Sequence, residues 1–441
     1  MTNGLSGPRK QFLDVLRVLA TCAVVLMHVL TGATDVTDAS IVPEYRSLLL
    51  SVMDLVTWCV PIFLLISGYL FLNPERTLTY TVMIKKYCRR IALAILLFGV
   101  PYAASELVVA ERTFRIMMIP EALKMTLTGH TWSHMWYLYL ILFLYLITPL
   151  LKKVLRVLPV WGVGTVMAVI FLGSSVAPFL NKVLDVNSIP VLPDGGVYFL
   201  YYLCGYLFAV REVCVDKGRY AGGQMVEPGK GERVVTSQNI GTSGKDMKAG
   251  DSGNGRWAGG NTEWDGGTQT VESRAWNVWL IAATVLALGM ILSRTLVGFS
   301  IQMAYNYPFT VLLSVLLFAA GQNGGWRAAA PDASPVADTP GVDISTAGEE
   351  LERLKHRIPW QEAGALSFAV YLVHPVYVNL LYKFVKITPF TVLEQCGVQS
   401  VAAGQVVLIL LLAAFCLVVL ALATATAWVL RKIPVLRKYV L

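Results

Sequence analysis

Apolar runs long enough to cross a lipid bilayer recur along the chain, separated by polar stretches. An α-helix rises about 1.5 Å per residue, so roughly 20 apolar residues cover the roughly 30 Å hydrocarbon layer. Ten runs read as spanning helices: 12–32, 48–72, 89–109, 135–151, 160–180, 197–211, 276–296, 303–321, 364–385 and 402–430. The last exceeds the needed length and is expected to tilt or to continue beyond the lipid. The pattern predicts an all-α, polytopic membrane protein built as one membrane domain over residues 1–441.

The polar stretches alternate in charge. Arg9 and Lys10 precede the first helix, and Arg76, Lys85, Lys86, Arg89 and Arg90 lie between the second and third. Lys152, Lys153 and Arg156 follow the fourth, and Arg431, Lys432, Arg437 and Lys438 follow the tenth. All fall on one side, which the positive-inside rule makes cytoplasmic, together with both termini. The opposite loops are mixed or acidic, as at Asp35, Asp38 and Glu44. Two cytoplasmic loops are long. Residues 212–275 hold 14 of the 36 glycines and too little apolar surface to order themselves, so this loop is expected to be disordered. Residues 322–361 begin with an Ala/Pro tract and then place Thr346 and Glu349 at capping-box spacing. Leu351, Leu354 and Ile358 follow on one face, predicting a short amphipathic helix on the membrane surface.

Composition agrees with this picture. Hydrophobic residues make up 56% of the chain and charged residues 15%, against about 25% in soluble domains. The net charge of +8 would suggest a nucleic-acid partner in a soluble chain. Here it belongs to the basic loops, and the bilayer, not nucleic acid, is the expected partner. Seven scattered cysteines show neither metal-ligand spacing nor a disulfide framework, so no metal and no tightly bound cofactor is expected. The first apolar run carries charges and no small-residue cleavage site, so it reads as a retained helix and not a signal peptide.

Those charges are the chemistry of the chain. A charge at a helix centre costs roughly 2.5–3.5 kcal/mol on insertion scales, and the first run holds Asp14, Arg17 and His28. Asp14 and Arg17 are neighbours at i, i+3. His28 lies eleven residues beyond Arg17, three turns plus about 20°, which puts it on the same face roughly 16 Å along the helix. That face reads as the wall of a polar cavity. The competing reading is that Asp14 and Arg17 snorkel to the headgroups and that His28 makes a helix–helix hydrogen bond.

Further candidates are weaker. Lys85, Lys86, Arg89 and Arg90 form a basic cluster that serves either as a phosphate site or as a positive-inside anchor. Trp136, Tyr137 and Tyr139 form either an interfacial belt, the favoured reading, or a sugar-stacking platform. Asp54 is an intramembrane carboxylate that pairs with a cation or binds acceptor hydroxyls. His374, before Pro375 in mid-helix, is the second candidate for a catalytic or substrate-orienting role. Gly68 permits close helix packing. His130, His134 and His356 read as ordinary loop histidines.

Arginine, ten residues and then histidine, with aspartate three before the arginine, resembles the opening of the bacterial acyltransferase-3 membrane proteins. Four later stretches resemble the same family in order: PIFLLISGYLFL (Pro61–Leu72), HMWYLYLILFLYLITPLL (His134–Leu151), YYLCGYLF (Tyr201–Phe208) and SFAVYLVHP (Ser367–Pro375). The likeness covers nearly the whole hydrophobic part and spares the long loops. It implies an O-acyltransferase of the bacterial inner membrane that moves an acetyl or similar short acyl group from acetyl-CoA. The implied acceptor is a hydroxyl of a cell-envelope glycan or lipid-linked sugar, and the nearest branch acts on enterobacterial common antigen. The resemblance also implies that Arg17 and His28 are the essential pair, with Asp14 beside them. It places the donor phosphates at an arginine-rich motif opening the third helix, here Lys86, Arg89 and Arg90, although this copy has lysines at two places. Apart from the resemblance, Asp54, Trp136 and His374 are the residues put forward for contact with the acceptor. The membrane half of certain serine racemases is similar as well, so a transporter-like or non-catalytic membrane module is the alternative.

Overall fold

The computed structural model describes residues 10–36, 42–186, 188–193, 195–216, 220–221, 224–225, 278–290, 305–323 and 360–441. In chain order its helices are α1 (Gln11–Thr34), α2 (Pro43–Phe71), α3 (Tyr80–Glu111), a short α4 (Met118–Leu127), α5 (Trp136–Val157), α6 (Val160–Val183) and α7 (Gly196–Cys214). Then come α8 (Val278–Met290), α9 (Pro308–Asn323), α10 (Trp360–Phe384), a short α11 (Pro389–Gln395), α12 (Val401–Lys432) and a short α13 (Pro434–Tyr439). Among the described residues 8 helices are long and apolar enough to cross a membrane. The two shorter apolar helices, α8 and α9, occupy the seventh and eighth predicted spans. The described residues are all-α apart from a two-residue antiparallel pairing of Tyr220–Ala221 with Gln224–Met225. Beyond that pairing, the glycine-rich stretch of the first long loop lies outside the described residues, as do the amphipathic helix expected before 361 and His356.

α1 is the hub of the bundle. It packs against α2, α9, α10 and α12, and buries Leu13, Leu16, Ala20, Val24, Val25, Val29 and Leu30. A helix buried on most sides belongs to a core and not to the lipid boundary. Polar groups on it therefore face protein or an internal cavity.

Two helices approach closely through a reciprocal pair of glycines. A Cβ added at Gly68 of α2 would lie 1.9 Å from the Tyr202 carbonyl oxygen, and one at Gly205 of α7 would lie 2.2 Å from that of Leu65. Only the missing side chains allow this contact. It brings Tyr202 to Thr148 of α5, their hydroxyls 2.8 Å apart.

Several helices are not regular. α2 is interrupted by a turn at Thr57–Trp58. Wider, π-type turns occupy Met83–Cys88 and Ile95–Gly99 within α3, and Leu380–Phe384 at the end of α10. Such turns are frequent at functional sites.

Basic residues gather at one end. Lys152 donates to the carbonyls of Asn73 at 2.5 Å and Arg76 at 2.7 Å, fastening α5 to the α2–α3 connection. Arg90 donates to the carbonyls of Val440, at 2.7 Å, and Leu441, fastening α3 to the segment after α13.

Candidate functional site

Three cavities meet around α1. The first, about 750 Å³, lies at the basic end and is lined by Arg17, Arg76, Arg90, Ser67, Tyr87 and Tyr145 among others. No Asp or Glu is among its lining residues, so its charged side chains are all guanidinium groups. The second, about 700 Å³, lies between α1, α3 and α10 and is lined by His28, Thr31, Tyr102, Ser105, Glu106, Trp132, His134, Asn379 and Lys383 among others. The third, about 390 Å³, reaches toward α2 and α5 and is lined by His28, His134, Asp54, Thr57, Trp136 and Tyr305 among others. Tyr137 and Tyr371 line both the basic cavity and this small one. Those two phenol rings, 5.9 Å apart, therefore stand between the arginines and the histidines.

α1 positions the two principal candidates in separate cavities, Arg17 in the basic one and His28 in the two histidine-lined ones. Asp14 is 0% exposed and accepts from Arg17 Nη1 at 2.8 Å. It packs against Gly364 of α10, where an added Cβ would meet its carboxyl oxygen at 2.9 Å. A carboxylate buried under a helix is not snorkelling, so that reading of Asp14 is corrected. Asp14 lines none of the three cavities and touches the basic one only through Arg17.

His28 has two imidazole neighbours. Its ring centroid lies 5.0 Å from that of His374 and 6.2 Å from that of His134, which are themselves 5.9 Å apart. His374 is fully buried, its Nδ1 lies 3.1 Å from the Val370 carbonyl, and its Nε2 has no partner. His134 overturns its expected place as an ordinary loop histidine. It is 3% exposed, lines both histidine cavities, and has a buried Nε2 without a partner. Burial, then the His28 ring beside it, pushes its pKa down to about 3, which keeps the imidazole neutral. Its position in a one-turn connection hid it, but it opens the HMWYLY stretch quoted above, and that was the available signal. His130 is exposed, as expected. These rings are not arranged as a metal centre, and no group of three His, Cys, Asp or Glu among the described residues is.

The remaining candidates divide. Asp54 is buried and lines the small cavity with His28 and His134. Trp136 lines the same cavity and packs against Tyr198 and Tyr305 at 5.4 and 5.6 Å, so it faces the bundle and not an interfacial belt. Of the basic cluster, Arg90 reaches the basic cavity. Lys86 lies over the Tyr87 ring and Arg89 over the Tyr439 ring, both exposed and outside the lining. The structure adds Arg76, which sequence reasoning counted among topological charges. It lies over Phe71 and Tyr87, donates to Tyr87 Oη at 2.6 Å, and keeps a buried Nε without a partner.

No curated protein and no solved structure matches the chain. The acyltransferase-3 family model, described as an acyltransferase domain, matches residues 10–428. That span contains every helix that lines the three cavities, and the chain therefore belongs to the acyltransferase-3 family and is a multi-pass membrane acyltransferase.

Proposed function

We propose that the protein is an O-acyltransferase of the bacterial inner membrane, moving an acetyl or similar short acyl group from acyl-CoA to a hydroxyl of a cell-envelope glycan or lipid-linked sugar. One observation carries this reading: a single helix presents a cation to one cavity and an imidazole to two others. A cytoplasmic thioester and an acceptor from the far side can then meet inside the bilayer. Family membership favours this enzyme over the transporter-like alternative.

Arg17, Arg76 and Arg90 give the basic cavity the charge that the phosphates of coenzyme A require, and guanidinium forks suit phosphate oxygens. The thioester arm runs from there along α1, past Tyr137 and Tyr371, toward His28. Neutral His28 takes the proton of the acceptor hydroxyl as its oxygen bonds to the acyl carbon. The carbon–sulfur bond then breaks, and the imidazolium returns the proton to the leaving thiolate. His374, 5.0 Å from His28 and lining none of the cavities, orients that ring.

The test is purified protein in liposomes with acetyl-labelled coenzyme A and envelope glycan. Wild type transfers label. His28→Gln keeps hydrogen-bonding capacity but cannot carry the proton, and should lose roughly 10²–10⁴ in rate while inserting normally. Normal turnover by His28→Gln would remove His28 as the base.

A further inference from the structure

His134 is a buried polar group that this reaction scheme leaves unused. Its Nε2 is buried without a partner, a costly condition unless a ligand satisfies it. Its backbone and ring are held. The Tyr371 hydroxyl donates to the His134 main-chain carbonyl. Tyr102 and Trp132, stacked with centroids 4.2 Å apart, lie 5.6 and 6.2 Å from the imidazole. In the tautomer that gives its proton to the Leu372 backbone, Nε2 carries the lone pair. His374 has an unsatisfied Nε2 as well, but it lines none of the cavities, whereas His134 lines both that His28 lines.

His28, acting as a base, also presents a lone pair. The reacting space is therefore faced by two hydrogen-bond acceptors on rings 6.2 Å apart and 86° inclined. A single hydroxyl has one proton and can donate to only one of them. Two hydroxyls on neighbouring carbons, each about 2.8 Å from a ring nitrogen, satisfy both.

We infer that His134 is an acceptor-binding residue whose Nε2 receives the hydrogen bond of the hydroxyl next to the one acylated, so that the site selects vicinal diols over isolated alcohols. This rests on the O-acyl transfer reading above and narrows its acceptor to a class. Sugar rings and other polyols meet the requirement, and long-chain mono-alcohols do not. His28 remains the residue that takes the proton.

The experiment compares two probes of nearly equal size, a cyclohexane vicinal diol and cyclohexanol, with labelled acetyl-CoA and protein in liposomes. Wild type should use the diol with kcat/KM at least about tenfold higher than the mono-alcohol, beyond the twofold statistical advantage of two hydroxyls. His134→Phe keeps a ring between Tyr102 and Tyr371 but removes the acceptor. It should bring the preference down to the statistical factor by lowering diol turnover more than cyclohexanol turnover. His134→Gln, whose amide oxygen can accept, should recover part of the preference. Wild type without a diol preference overturns the inference alone, as does His134→Phe that retains the preference or loses both substrates equally. If His134→Phe fails to insert, the wild-type comparison and His134→Gln decide. Absence of any thioester turnover by wild type would overturn the transfer reading itself, and this inference with it.

Discussion

Asp14 and Arg17 form a buried charged pair whose structural part and proposed role in donor binding can be separated by experiment. The carboxylate is fully buried and the guanidinium is 27% exposed, facing the basic cavity. Removing one partner of a buried pair costs about 3–5 kcal/mol, because it strands the other charge. Asp14→Ala should therefore lower the thermal unfolding temperature in detergent and abolish transfer. Replacing both, Asp14→Leu with Arg17→Met, should restore much of the stability and none of the transfer. Thermal unfolding beside a transfer assay separates the two effects, and an active double variant would take Arg17 out of donor binding. At this scale the eleven-residue interval fixes the relative direction of Arg17 and His28, but the single polar cavity read from it is divided, with Arg17 and His28 in different cavities and Asp14 in none. From sequence alone, His134 reads wrongly as a loop histidine and Arg76 only as one of the loop charges. Their inward placement depends on which helices close over them, and no local period encodes that.

The glycine contact of α2 with α7 dictates where two helices may lie. A methyl group at Gly68 would stand 1.9 Å from the Tyr202 oxygen, a backbone atom that cannot move without its helix. Gly68→Ala should therefore push α7 outward, part the Tyr202 and Thr148 hydroxyls, and lower the unfolding temperature by several degrees. An unchanged melting curve in detergent would show that the helices do not approach this closely. The positions of the long helices were legible because lipid demands uninterrupted apolar length. Their ends were less so. α3 begins at Tyr80 and not at 89, since Lys85 and Lys86 sit exposed on its first turns. α5 runs past Lys152 because that ammonium is satisfied by two carbonyls of a neighbouring connection. The π-type turns in α3 and α10 had no signature, as they follow from how helices press on one another.

For the whole molecule, the positive-inside rule predicts that the basic cavity faces the cytoplasm. In a background lacking the exposed Cys396, Gly129→Cys should react with an impermeant thiol reagent in intact cells, and Arg437→Cys only after permeabilisation. The reverse result would exchange the sides from which donor and acceptor arrive. With either orientation, the rings of Tyr137 and Tyr371 line both the arginine-lined cavity and the small histidine-lined one. A membrane that holds a voltage drops it across the driest part of any aqueous path, and moving one elementary charge through 100 mV involves about 2.3 kcal/mol. Two phenols then stand in most of that field. They must let an uncharged acyl group arrive at His28 while withholding a continuous file of water along which protons could hop. In the proposed enzyme, the pair of rings that keeps one substrate from the other is also the insulation across a protein hollowed on either side of them.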